Sequence, residues 1–241
     1  MKISKQKQKE NKKNIIEIAI GLMIENGYEK TTMRAIAKAS KISDATIYNY
    51  FPTKESILWA YIYLRQEQAI EKLTKIESFE EFSVQEKIHT YFETILEGYL
   101  AEKEFLPTLF KRTHQSFLTH SDQTAKLNTL FFNQIKEFLL CAIKKDEIPD
   151  QPIDSLIPHL ILDLYLIVLL YWIKDNSQYS QRTTELIDLL LTIMMSVLNE
   201  KLISKFLGIG AFILRQHVFS QVQSLFKGSI FESFQNDLKG L

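Results

Sequence analysis

Four hydrogen-bonding side chains, Thr46, Tyr48, Asn49 and Tyr50, fall within five residues, and Lys54 follows a Phe51-Pro52-Thr53 break. On a short exposed helix such groups suit the DNA major groove. Small polar groups at the helix start reach base edges, while flanking hydroxyls, amides and a cation fix phosphates. A polar helix face with no partner is the plainer alternative. That plainer role needs no particular polar side chains, so it does not account for Thr, Tyr, Asn and Tyr so close together.

The elements that must position these groups are marked by caps. From about Lys7 the chain reads as a helix, because Ile15, Ile18, Ala19, Leu22 and Met23 recur at spacings of three and four. Gly27 offers the left-handed conformation that closes it, and Tyr28 can fold back beneath the end. Thr32, Ser43 and Thr53 each stand where a side-chain oxygen caps a following helix. Small Ala39 and Ser40 permit close packing behind the second helix. Lys54, Glu55 and Ser56 form the first turn of the fourth, with Ile57, Leu58 and Tyr61 continuing an apolar stripe. Short helices with tight corners are the helix-turn-helix layout.

The blocks Thr31-Thr32-Met33-Arg34-Ala35-Ile36-Ala37 and Ala45-Thr46-Ile47-Tyr48-Asn49-Tyr50-Phe51-Pro52-Thr53-Lys54-Glu55 resemble the DNA-binding domain of the TetR family of bacterial transcriptional regulators. The resemblance runs from about Asn11 to Tyr63. It implies an all-α protein, with an N-terminal three-helix helix-turn-helix DNA-binding domain over 1–63 and a C-terminal helical bundle for dimerisation and effector binding over 64–241. It also implies roles for single residues. Thr46 and Asn49 would reach base edges, Tyr48 and Tyr50 would place hydroxyls on phosphates, and Lys54 would neutralise a phosphate. Thr32, Arg34 and Ser43 would flank the groove, with Asp44 and Ala45 at the start of the reading helix. Ile47 and Phe51 would point inward. Two positions depart from the family pattern. Lys41 stands where glycine is usual, which costs about 1 kcal/mol if φ is positive there. Asp44 replaces a basic or neutral residue; it either supports the helix dipole or accepts from cytosine N4.

Composition agrees with helices throughout. Seven Gly and five Pro in 241 residues leave little material for the turns of an all-β fold, and apolar residues are 46%. The formal net charge of zero hides an asymmetry: through Tyr63 there are 11 Lys+Arg against 6 Asp+Glu, leaving 18 against 23 for the rest. A basic front and acidic rear suggest that only the front meets a polyanion. The run Lys2, Lys5, Lys7, Lys9, Lys12 and Lys13 reads either as a solvated tail or as a phosphate-tracking arm. A single cysteine, Cys141, and the lack of a recognisable signal peptide fit a soluble cytoplasmic protein.

Behind the motif, apolar periodicity predicts helices over 58–76, 84–102, 105–117, 122–144, 153–174, 181–198 and 202–226, with a break at Pro107. The 156–173 stretch carries Pro158, His159 and Asp163, so it reads as a core helix and not a membrane span. Segment 181–198 is apolar on more than one face, which predicts a partner subunit, and helix 153–174 pairs with it. Segment 199–241 reads as a further amphipathic helix serving the interface or core. His159 and Asp163 read as a buried, mutually satisfied pair, and Cys141 as inert core. No catalytic ordering, metal-ligand spacing or phosphate cradle appears, so no cofactor, metal or enzyme activity is expected. The expected function is a homodimeric repressor that binds double-stranded operator DNA, released by a small apolar effector. An effector-independent or architectural DNA-binding protein and an all-α enzyme are the alternatives.

Overall fold

Hydrogen-bonding side chains set the helix ends in the front third of the chain. The computed structural model describes residues 5–118, 122–150 and 156–199, and among these it forms nine α-helices and no strand. Helix α1 (Lys5–Asn26) ends at Gly27, whose φ is 83°. Buried Thr31 seals that corner, its hydroxyl donating to the carbonyls of Leu22 (3.1 Å) and Gly27 (2.9 Å). Helix α2 (Met33–Ala39) starts from Thr32, which accepts from the Ala35 amide. Helix α3 (Asp44–Tyr50) starts from Ser43, which accepts from the Thr46 amide. Helix α4 (Lys54–Leu73) starts from a reciprocal box in which Thr53 and Ser56 cap each other. Each such cap contributes about 1 kcal/mol. The three predicted caps are the three observed.

Helix α4 runs unbroken through residue 63. It packs on α1 at the front and on α5 (Val84–Gly98), α6 (Leu106–Leu118) and α7 (Asp122–Lys144) behind. No linker separates front from rear. Helix α5 then packs on α7, α8 (Leu156–Lys174) and α9 (Gln181–Asn199), while α8 lies between α7 and α9. An aromatic cluster fills the bundle: Tyr91 stacks on Phe131 at 5.6 Å between ring centroids, and Phe92 meets Tyr165 edge-on at 5.3 Å. Buried Gln66 of α4 donates to the Tyr91 hydroxyl, so the one polar atom of that ring is satisfied.

Some predicted boundaries shift for identifiable reasons. Helix α5 stops at Gly98, short of residue 102, because a 3-10 segment (Leu100–Phe105) with non-helical Glu102 intervenes. The break therefore precedes Pro107, which sits in the first turn of α6, where a missing N–H costs nothing. The expected buried His159–Asp163 pair is corrected. His159 is exposed and lies against the Phe132 ring at 4.4 Å, while Asp163 is half-buried. Burial pushes the Asp163 carboxyl up, and His159 only partly offsets this. Cys141 is half-buried, not core, with its sulfur 3.8 Å from the Nζ of buried Lys87. The expectations for 200–241 lie outside the described residues.

Helix α8 is long and apolar enough to cross a membrane by length and composition. Its Ile157, Ile161, Tyr165, Val168, Leu169 and Trp172 are buried in the bundle. Its other face shows Ile167, Leu170 and Tyr171, and α9 shows Leu189, Ile193 and Val197, spaced four apart along a single stripe. Both helices thus carry two apolar faces, as the sequence predicts for this pair.

Candidate nucleic-acid interface

Helix α3 has only seven residues, too short to be stable by itself. Its inner side anchors it: Ile47 is fully buried and Phe51, the C-cap, nearly so. Those two side chains leave the opposite face free. Ser43, Asp44, Ala45, Tyr48 and Asn49 are exposed, and Thr46 and Tyr50 are half-buried. The Tyr48 side chain keeps 55% of its surface open, so its hydroxyl is available to an outside partner.

Helix α2 crosses behind α3, and the corner between them is fixed by two backbone bonds. The Ile42 amide donates to Ala37 at 3.0 Å and the Lys41 amide to Lys38 at 3.2 Å. This closure requires a left-handed residue between them. Lys41 supplies it with φ of 56°, as its place in the motif predicts. Thr32 and Arg34 are exposed at the start of α2, beside the start of α3. Arg34 Nε lies 3.6 Å from Asp44 Oδ2, so the carboxylate that would repel phosphates has a cation next to it. Both groups are largely open to solvent, and such pairs contribute about 0–1 kcal/mol.

Several predicted contact groups have partners already. The Thr46 and Ser43 hydroxyls lie 2.7 Å apart, so the Thr46 hydroxyl is oriented by the cap. The Tyr50 hydroxyl accepts from Asn11 Nδ2 of α1 at 3.3 Å. Lys54 Nζ donates to the Tyr28 carbonyl at 2.6 Å and sits 4.2 Å from the Tyr28 ring centroid. Burial pulls the Lys54 ammonium below its ordinary range. The structure gathers Thr32, Arg34, Ser43, Asp44, Ala45, Thr46, Tyr48 and Asn49 around one exposed helix-turn-helix. It ties Tyr50 to α1 and Lys54 to the corner after α1.

Asn11 and Lys12 of α1 flank α3, while Tyr28 and, from α6, Arg112 flank Lys54; the sequence marks Lys12 only as part of the basic run and Tyr28 only as a ring closing α1, and it marks Asn11 and Arg112 not at all. Lys12 Nζ lies 5.5 Å over the Phe51 ring, and the Arg112 guanidinium lies 4.9 Å from the Tyr28 ring centroid. Asn11 and Lys12 belong to a run of polar residues whose inward members no periodicity marks. Arg112 is separated from Tyr28 by 84 residues, and no local pattern joins them. Among the described residues no group of His, Cys, Asp and Glu could hold a metal ion.

Comparison with known proteins places this geometry. The family profile described as bacterial regulatory proteins, tetR family, matches residues 15–61, and a tetracyclin repressor-like C-terminal domain profile matches residues 87–213. An uncharacterized HTH-type transcriptional regulator of Bacillus subtilis, YuxN, is 29% identical over 118 residues, covering 49% of this chain and 40% of that protein. The fatty acid metabolism regulator protein of the same organism is 39% identical over 59 residues, 24% of this chain and 30% of its own length. The match thus spans less than half the length of these curated relatives. A crystal structure of a TetR-family regulator from Syntrophomonas wolfei superposes with a TM-score of 0.59 at 22% identity, covering 78% of this chain and 96% of that one. Thermus thermophilus FadR, a repressor crystallised with lauroyl-CoA, superposes at 0.54 and 22% identity, covering 75% and 93%. At such identities these structures speak for the fold. With the rear profile alone covering more than half of the sequence, the chain belongs to the TetR family of bacterial transcriptional regulators.

Proposed function

We propose that this protein is a cytoplasmic homodimeric repressor that reads an operator in double-stranded DNA and leaves it when a small apolar effector binds the rear bundle. The observation that carries the reading is the outward face of α3, where Asn49 and Tyr48 stand exposed while Ile47 and Phe51 hold the helix from behind. Residues 1–63 form the DNA-binding unit and 64–241 the effector-binding and dimerisation unit. Thr46 and Asn49 read base edges, with Ala45 leaving space beside them. Tyr48, Tyr50 and Lys54 meet phosphates, and Thr32, Arg34 and Ser43 flank the groove. Asp44 serves the helix start and balances Arg34, 3.6 Å away.

The exposed stripes on α8 and α9 support the dimer, because a two-fold axis brings the same apolar faces of two copies together. A dimer also supplies two reading helices about one DNA turn apart, or a multiple of it. The apolar effector is drawn from the family and its relatives, since the aromatic rings pack closely through the centre of the bundle. Such a ligand acts only through its differential affinity for the operator-bound and free conformations. Thermus thermophilus FadR was crystallised with lauroyl-CoA, which makes a long-chain acyl thioester the first compound to try.

The test is binding of the protein to the region upstream of its own coding sequence, by anisotropy with competitor DNA. Wild type should prefer a two-fold symmetric site. Thr46→Ala with Asn49→Ala should lose that preference by about 30-fold or more, two lost base contacts being about 1–3 kcal/mol each, with helicity and melting unchanged. Equal discrimination by wild type and variant would remove the base-reading role. Steep salt dependence without any sequence preference would favour the architectural alternative.

A further inference from the structure

Tyr28 is the meeting point of two cations from different parts of the molecule. Lys54 of α4 lies 4.2 Å from its ring centroid and donates to its carbonyl at 2.6 Å; Arg112 of α6 lies 4.9 Å from the same ring. Arg112 Nη2 also bonds Glu29 Oε1, the neighbouring residue on the same corner. The inner side of α6 fixes where Arg112 stands. Leu109 and Thr113 are buried, and the Thr113 hydroxyl is satisfied by the Leu109 carbonyl at 2.9 Å, leaving Arg112 on the open side. Behind the corner, Gly27 at φ 83° and buried Thr31 hold the chain entering α2.

We propose that Arg112 is a positioning residue for Lys54: through Tyr28 and Glu29, the rear helix α6 sets where the phosphate-binding ammonium of the reading head stands. An ammonium has three donors and no acceptor. One is spent on the Tyr28 carbonyl, which leaves two for a phosphate while the stem stays fixed. Lysine carries about 2 kcal/mol of rotamer entropy when free, so a lysine already placed binds phosphate with less loss. The placement is only as firm as Tyr28, and Tyr28 and its neighbour are gripped by Arg112. A shift of α6 within the bundle then reaches the DNA surface through a single ring, with no rearrangement of α3 required. Lys54 contributes to every sequence alike, so this route adjusts overall affinity and leaves base preference untouched.

The inference rests on the DNA-binding reading above, and a double-mutant cycle separates the two. Binding of wild type, Lys54→Ala, Arg112→Ala and the double variant to one operator duplex is measured across a salt series. Arg112→Ala should weaken binding about three- to tenfold for specific and scrambled duplexes alike. It should flatten the slope of log affinity against log salt by about one unit, the signature of one lost phosphate contact. Lys54→Ala should do the same, and the double variant should match Lys54→Ala with no further loss. Arg112→Lys, which keeps a cation over the ring and beside Glu29, should recover most of the affinity. A further loss of about another unit of slope in the double variant would mean that Arg112 meets DNA directly, and it overturns the proposal. So does wild-type binding by Arg112→Ala, provided that Lys54→Ala is weakened. If wild type shows no DNA binding at all, the functional reading itself has failed.

Discussion

The front and rear of this molecule are both helical, yet they solve opposite problems. The front fixes a seven-residue helix with two buried side chains and a hydroxyl cap, so that polar groups remain outside. The rear fills its centre with stacked rings and leaves aliphatic side chains outside, along α8 and α9. Exposure therefore carries opposite meanings in the two regions. An outward Asn49 on the front is suited to water and to a nucleic acid alike. An outward Leu189, 59% exposed, or Ile193, 55% exposed, is suited to neither and supports the proposed dimer surface.

The largest effect should come from breaking that rear surface. Leu189→Glu with Ile193→Glu places two charges on the stripe without touching Ile187 or Leu191, which point into the protomer's own core. Sedimentation should show monomers with unchanged helicity. Operator affinity should fall by about 100-fold or more, because two half-sites no longer add their binding energies within one particle. A dimer that survives both charges would place the interface elsewhere and remove the contrast between the two regions.

Intermediate in size is a change at the turn that sets α9 against α8. Buried Asp175 ties this turn: one oxygen accepts from the Thr183 amide (3.0 Å) and hydroxyl (2.6 Å), the other from the Ser177 amide (2.9 Å). Burial pushes the carboxyl up, but the bonds from Thr183 and Ser177 outweigh it and hold the group well below the usual carboxylate range. A carboxyl depressed on folding stabilises above its unfolded value, about 3.9, and that stabilisation fades as pH falls below it. Asp175→Ala should therefore cost about 1–3 kcal/mol near neutrality, from buried donors left unmatched. The gap to wild type should narrow below about pH 4. Denaturant melts at pH 7 and in acid measure both. An equal deficit at the two pH values would assign the loss to packing and not to the carboxylate.

The same contrast explains what could be read from residues alone. The front is determined locally: each helix end depends on an oxygen three residues from the amide that it caps, so Thr32, Ser43 and Thr53 announce themselves. The inward placing of Ile47 and Phe51 follows from the family resemblance. The rear depends on contacts distant in sequence. Periodicity predicts α7 with its observed ends, yet the 3-10 segment after Gly98 has no marker, and the helix pattern runs through it to 102. His159 sits on a strongly apolar helix, so burial is the natural expectation; its exposure follows from which side of α8 meets α7, which no single-helix pattern encodes. The same holds for the site. The exposed face of α3 was legible, whereas the attachment of Lys54 to Tyr28 and of Tyr28 to Arg112 needs the fold.

The smallest effect concerns backbone strain, where again front and rear differ. Lys41 in the α2–α3 corner and Asp146 after α7 both have φ of 56°. Aspartate tolerates this conformation through local hydrogen bonding of its short side chain, whereas lysine has no such compensation. Lys41→Gly should therefore relieve about 1 kcal/mol of strain, less a few tenths lost to the greater freedom of glycine in the unfolded chain. For a protein of this size that raises the melting temperature by about 2 °C. Asp146→Gly should give little or nothing. Since the Lys41 amide and its neighbour already make the corner's hydrogen bonds, the glycine variant should leave α3 where it is and bind operator with wild-type preference. A loss of preference in Lys41→Gly would mean that the lysine side chain itself contributes to reading, a role that its exposed position beside the start of α3 permits.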